Sequence, residues 1–79
     1  MKNEDKIIDI ISEHCGIVPV EITKEATFHE LGFDSLDKVE LVMEIEIVFH
    51  ITIPDEVEEK LETVNDLIKY VESQCPDRN

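Results

Sequence analysis

The stretch ELGFDSLDKVELVMEIEIVFHITIPDE, Glu30 to Glu56, decides the fold. From Leu36 to Phe49 the apolar residues recur at helical spacing. Asp34 and Ser35, just before that run, are both good N-cap residues, and Asp37 puts negative charge in the first turn. A helix is therefore expected over about 35–49. Pro54 forbids its continuation, and the following PDE restarts a short helix over about 55–61. The long helix carries more apolar residues than one buried stripe needs. Leu41, Val42, Ile45 and Phe49 make a core face, and Leu36, Val39, Met43 and Ile47 make a second strip beside it. Glu40, Glu44 and Glu46 lie among and beside that strip. Two readings are open. The helix is central and buried on more than one side, or the strip is a partner surface in which a methionine can re-pack against different partners.

Outward from this helix the pattern stays helical. Ile7, Ile8, Ile11 and Cys15 recur at helical spacing and Gly16 supplies a stop, so a first helix is expected over about 3–15. Residues 16–34 have no clear period, Pro19 breaks any helix, and Gly32 marks a turn. Val18, Val20, Ile22, Phe28 and Leu31 make this long loop apolar enough to pack down, and Thr27 with Glu30 has capping-box spacing. A long ordered loop in so small a chain is often functional. Thr63 with Asp66 reads as the cap of a last helix over about 64–75, where Val64, Leu67, Ile68, Val71 and Cys75 form one stripe and Pro76 ends it. Only HITI, residues 50–53, has strand character, and it has no partner. The expected class is all-α: a single domain over 1–79, a small four-helix bundle of three main helices and one short one, with a long first loop.

The chain has 79 residues, with 20 acids against 7 bases and a net charge of −13. A chain of this length buries only about 60–65% of its unfolded surface, so the core is small and the stability marginal. The charge argues against nucleic acid and anionic membranes as partners and favours basic protein surfaces, whose encounter it steers. It also favours a monomer. Self-repulsion should cost stability, so added salt is expected to raise the melting temperature; a midpoint that does not move with salt would contradict this. No apolar stretch approaches the ~20 residues of a membrane span. The opening MKNEDKIIDIISEHC has the pattern of neither a signal nor a transit peptide. A cytoplasmic location is expected, although a mature organelle form would look the same. Cys15 and Cys75 make no disulfide framework and are expected as free thiols at opposite ends of the bundle. His14, His29 and His50 have no metal-ligand spacing, and no D-x-D-x-D-G loop suggests a calcium site.

The residue that calls for chemistry is Ser35. It lacks the G-x-S-x-G elbow of an activated nucleophile, and SLDK matches S-x-x-K without the companion motifs. No histidine stands in a base position and nothing suggests an oxyanion hole. A catalytic serine is therefore not expected. A serine at a helix N-terminus is instead well placed to be acted upon, because unpaired backbone N–H groups and a partial positive charge would receive an esterified phosphate. The plainer alternative is that Ser35 only caps the helix.

At this point the residues resemble a known family. LGFDSLDKVELVMEIE followed by FHITIPDE is similar to the acyl carrier proteins, whose modification motif is LGxDSL. Ile22, Phe28, Leu31, the VELVM run, IPDE and TVNDLIKYV fall at the family's usual spacing, so the resemblance spans essentially the whole chain. It implies an up-down helical bundle that is not an enzyme. It implies that a phosphopantetheinyl transferase moves 4′-phosphopantetheine from coenzyme A onto Ser35, and that Asp34, the motif acid, helps bind the transferase's metal ion. The arm's thiol would carry acyl groups as thioesters, with the acyl chain sheltered between the helices and presented to acyl-processing enzymes through basic docking patches. By position, Leu36, Asp37, Val39, Glu40, Met43 and Glu46 match the family's partner face, and Ile47 extends it. Fatty acid synthesis is the expected pathway; a specialised carrier for a secondary metabolite or lipid, and an unmodified helical interaction module, are the alternatives. Two departures stand out. EIEIVF replaces the family's acidic run with Ile47 and Val48, and Lys38 puts a base near the serine. Phe33, where alanine is frequent, is expected to restrict the arm by its bulk.

Overall fold

The computed structural model describes residues 2–76; Met1 and residues 77–79, the ends of the single domain expected over 1–79, lie outside the described residues. Four α-helices follow one another: α1 (Asn3–Cys15), α2 (Ser35–Phe49), α3 (Asp55–Glu58) and α4 (Val64–Gln74). A single 3-10 turn at Pro19–Glu21 interrupts the long first loop, and no strand forms among the described residues. The short helix expected over about 55–61 ends at Glu58, and residues 59 and 60 continue as a turn. Its length is set by Leu61, which is buried and pulls the chain inward before a further helical turn can form.

α1 packs on both α2 and α4. It stops where Gly16 enters the left-handed region at φ 75°, donating its N–H to the Ser12 carbonyl. α2 stops in the same way at His50, a non-glycine residue at φ 57°. A left-handed residue with a Cβ costs about 1 kcal/mol, which the start of the IPDE segment tolerates in order to turn Ile53 into the core. The core joins Ile7, Ile10 and Ile11 of α1, Leu41, Val42, Ile45 and Phe49 of α2, and Val64, Leu67, Ile68 and Val71 of α4. Ile22, Phe28 and Phe33 of the first loop complete it.

That loop is not loose. Phe28 N–H donates to the Glu62 carbonyl and Val64 N–H to the Ala26 carbonyl, both at 3.0 Å, forming a lone bridge between Thr27 and Thr63. A reciprocal box flanks each side of this bridge. Thr27 and Glu30 exchange backbone-to-side-chain bonds of 2.9 and 3.0 Å, and Thr63 and Asp66 do the same at 3.1 Å to cap α4. The Thr63 N–H holds the Asp66 carboxyl below its usual pKa, and the Thr27 N–H does the same for Glu30. A carboxyl with a depressed folded-state pKa adds stability above its unfolded pKa and loses it as pH falls through the folded value. Both boxes therefore hold the loop at neutral pH and release it only in acid.

Across the bundle, His14 of α1 meets Glu44 of α2 at 2.8 Å. Asn3 donates its side-chain amide to the Cys75 carbonyl, closing the start of α1 onto the end of α4. Cys15 terminates α1 at the other end, so about 18 Å of helix stands between the two thiols, and both are free.

Candidate functional site

The N-terminus of α2 resolves which residue caps it. Asp34 is the N-cap, in extended geometry at φ −93° and ψ −174°; its Oδ1 accepts the Asp37 N–H at 2.8 Å. Asp37 Oδ2 in turn accepts the Asp34 N–H at 3.1 Å. The two aspartates around Ser35 thus form a reciprocal capping box, which satisfies two backbone donors at the helix mouth. Asp37, placed by resemblance on the partner face, is half-buried and holds this turn together.

Ser35 is the first residue of α2 and is exposed. The cap is already made by its neighbour, so the alternative in which Ser35 caps the helix is corrected. The other two serines show the contrast. Ser12 Oγ donates to the Ile17 carbonyl and Ser73 Oγ to the Tyr70 carbonyl, each at 2.6 Å. Ser35 Oγ makes no hydrogen bond among the described residues. Its hydroxyl stands at the positive end of a helix of 15 residues, where an attached phosphate is favoured.

A pocket of about 230 Å³ opens beside it, lined by Phe28, Phe33, Asp34, Ser35, Lys38 and Leu61, with Thr27, His29 and Glu62 at its edge of the loop and the turn before α4. Phe33 lines this pocket together with Ser35. It is 8% exposed and meets Phe28 edge to face, with centroids 5.8 Å apart at 70°, and its ring also lies 6.4 Å from that of His14. It forms a wall of the pocket from inside the core, so it has a packing role before any arm is attached. Lys38, one turn before the Leu41 and Val42 core face, is half-buried with Nζ 5.9 Å from the Phe28 centroid. Glu62 enters the site through the Thr27–Thr63 bridge, a contact between residues far apart in sequence that no local motif announces.

The second apolar strip of α2 lies on the outside. Leu36 is 66% exposed, Val39 43%, Met43 55% and Ile47 72%, and Val48 joins them. The second strip is therefore not buried; the covered apolar face of α2 is that of Leu41, Val42, Ile45 and Phe49. Glu40 is exposed beside the strip. Glu46 is half-buried, with Oε2 accepting the Ile53 N–H at 2.7 Å, so its carboxylate fastens the segment after α2. Among the described residues no three histidine, cysteine or carboxylate groups gather as a metal site, and no helix is long and apolar enough to cross a membrane.

What this site can do chemically follows from its parts. It offers an accessible, unbonded hydroxyl at a helix mouth, next to a pocket walled by Phe28, Phe33 and Leu61. That suits a hydroxyl modified by another protein's active site. The family model described as the phosphopantetheine attachment site matches residues 5–71, which takes in α1, the loop, all of α2 and α3, and α4 as far as Val71. Domains of this kind are carriers rather than catalysts, bear 4′-phosphopantetheine covalently on a serine, and work with a phosphopantetheinyl transferase and with acyl-processing enzymes. A match over most of the chain, on a small all-α bundle, places this protein in the acyl carrier protein family of phosphopantetheine-bearing domains.

Proposed function

We propose that Ser35 is the attachment point of the arm and that the chain is a carrier of acyl groups for fatty acid synthesis. The observation that carries the assignment is the unbonded, exposed hydroxyl of Ser35 at the mouth of α2, within the matched segment, while Ser12 and Ser73 are tied to backbone carbonyls. In the transfer, Ser35 Oγ forms a new P–O bond to the phosphopantetheine phosphorus as the pyrophosphate bond of coenzyme A breaks. Adenosine 3′,5′-bisphosphate leaves, and the serine proton passes to the transferase. Asp34 supplies the cap that fixes the hydroxyl and a carboxylate oxygen beside it for the transferase's metal ion. The arm's thiol holds the acyl group as a thioester, reactive at carbon and kept at high effective concentration near each partner. The fatty acyl reading rests on the DSLDKVELVMEIE pattern.

Intact mass after incubation with coenzyme A and a broad-specificity transferase tests this. One added phosphopantetheine is expected, mapping to the peptide that contains Ser35. No gain on folded protein would remove the assignment and leave an unmodified interaction module; a gain on Ser12 or Ser73 would move the attachment point away from Ser35. Acyl groups recovered from the arm in cells decide the pathway: straight saturated chains fit fatty acid synthesis, and other cargo a specialised carrier.

The exposed face of α2, with Leu36, Val39, Glu40, Met43 and Ile47, is the surface offered to partners carrying basic patches. Ile47 and Val48 at its end favour a partner set with a larger apolar contact than an acidic run would recruit. Ile47→Glu is expected to shift stability by no more than about 0.5 kcal/mol, as an exposed substitution, and to change the rate of acyl transfer to partner enzymes. A cooperative loss of folding in that variant would show Ile47 to be core.

A further inference from the structure

We propose that Lys38 is the counter-charge of the phosphodiester at Ser35 and thereby directs the first part of the arm over the pocket between Phe28 and Leu61. This rests on the assignment of Ser35 as the attachment point. Lys38 follows Ser35 by three residues on α2, so their Cβ atoms lie about 5–6 Å apart on one side of the helix, and both side chains line the same pocket of about 230 Å³.

This lysine has no ion-pair partner among the described residues. It stands at the start of the second turn of α2. Asp34 lies four residues before it, the spacing at which an acid and a base pair along a helix. No such pair forms. Asp34 Oδ1 is turned to the Asp37 N–H and Asp37 Oδ2 to the Asp34 N–H. The ion pairs among the described residues are His14–Glu44 and Lys24–Glu4, so in a chain with 20 acids the Lys38 ammonium meets no carboxylate. It sits instead over the Phe28 ring at 5.9 Å, half-buried and facing the pocket.

A phosphodiester on Ser35 Oγ would carry one negative charge into a pocket that already holds Asp34 and Glu62. Without a cation it would be repelled from that pocket towards solvent. Lys38 supplies the cation within reach of its long stem, which already places Nζ over the Phe28 ring beside the pocket. His29 also lines the pocket and adds a second, weaker donor. The consequence is a preferred direction for the arm: towards the loop and the turn before α4, and away from the exposed strip of α2 that partners are offered.

The test uses isotope-labelled protein in the unmodified and phosphopantetheine-bearing forms, with loading confirmed by intact mass, as wild type, Lys38→Met and Lys38→Arg. Loading of the wild type is expected to shift the Lys38 side-chain resonances and the backbone amides of Phe28, His29, Leu61 and Glu62. Lys38→Met should lose at least half of those amide shifts, and Lys38→Arg should keep them. In the wild type they should also shrink in about 1 M salt, where the screening length is about 3 Å; this arm of the test needs no variant to fold. Loaded wild type whose shifts are the same in Lys38→Met and insensitive to salt would overturn the proposal while leaving the attachment site intact. Wild type that takes up no phosphopantetheine would overturn the attachment site, and this proposal with it.

Discussion

Ser35→Ala is expected to abolish loading of the arm while leaving the melting temperature close to that of the wild type, and Asp34→Ala is expected to do the reverse to stability. The two residues are neighbours and both are common N-caps, so a motif alone leaves their roles exchangeable. The structure separates them. Asp34 makes the capping bond to Asp37 at 2.8 Å, while Ser35 Oγ bonds to nothing among the described residues. Removing a capping side chain costs about 1 kcal/mol, which in a domain of this size lowers the melting temperature by roughly 4–8 °C. Removing an exposed hydroxyl from the first helical position costs almost none of that. Asp34→Asn separates the aspartate's own two roles. Asparagine caps as well as aspartate, so stability should be retained, while loading should slow if the carboxylate charge serves the transferase's metal ion. The readouts are thermal melts of the unmodified proteins and intact mass over time with transferase and coenzyme A. A melting temperature that drops for Ser35→Ala and holds for Asp34→Ala would show that the serine caps the helix after all.

How much of this was legible in the sequence depends on the range of the interaction. The class was legible because periodicity is local: the Ile7–Ile11 repeat, the apolar run from Leu36 to Phe49 and the Val64–Val71 stripe each report one helix. The Thr63–Asp66 box was legible for the same reason, since a cap bonds residues three apart. The excess of apolar residues on α2 was visible, but the side of the helix left uncovered was not. Covering it depends on how the other elements pack, and Leu41 and Ile45 are the residues that enter the core shared with α1 and α4. The end of α3 was misjudged because Leu61 is drawn inward by a tertiary contact that outweighs the helical tendency of the EVEEK segment.

The site follows the same division. Ser35 and its flanking acids were conspicuous, and family resemblance fixed their meaning. Their mutual geometry was not legible, because Asp34 and Ser35 satisfy the same compositional rule for an N-cap and only the backbone angles decide between them. The pocket was invisible in sequence. Its walls come from Phe28 and Phe33 in an aperiodic loop and from Leu61 and Glu62 in the turn before α4, brought together by the Thr27–Thr63 bridge. Lys38 stands three, four and seven residues before Leu41, Val42 and Ile45, so helical spacing puts it on the core side at the start of α2, but only the folded loop shows that Phe28 offers it an aromatic face there.

Phe33→Ala is expected to be among the most damaging single changes near the site, for a reason of packing. The ring is 8% exposed and wedged between Phe28 and His14. Truncating a buried phenylalanine costs about 3 kcal/mol or more, the lost transfer energy being joined by the cavity left behind. A domain of this length has a total stability of roughly 4–12 kcal/mol, so the loss is a large part of the whole and should lower the melting temperature by more than 10 °C, at roughly 4–8 °C per kcal/mol. Phe33→Leu, which keeps most of the volume, should lose less than half as much. Val20→Ala is the control in the same loop: Val20 is 89% exposed, and its truncation should be close to neutral. If Phe33 acted by crowding the arm, Phe33→Ala would leave the unmodified protein as stable as the wild type and alter only the mobility of the loaded arm. If it acts as a wall, instability appears before any arm is attached, and amide exchange should quicken first at Phe28 and Leu31, whose N–H groups hold the loop to Glu62 and Thr27. The same instability should slow loading by the transferase, because the hydroxyl of Ser35 is fixed only as well as the turn that precedes it.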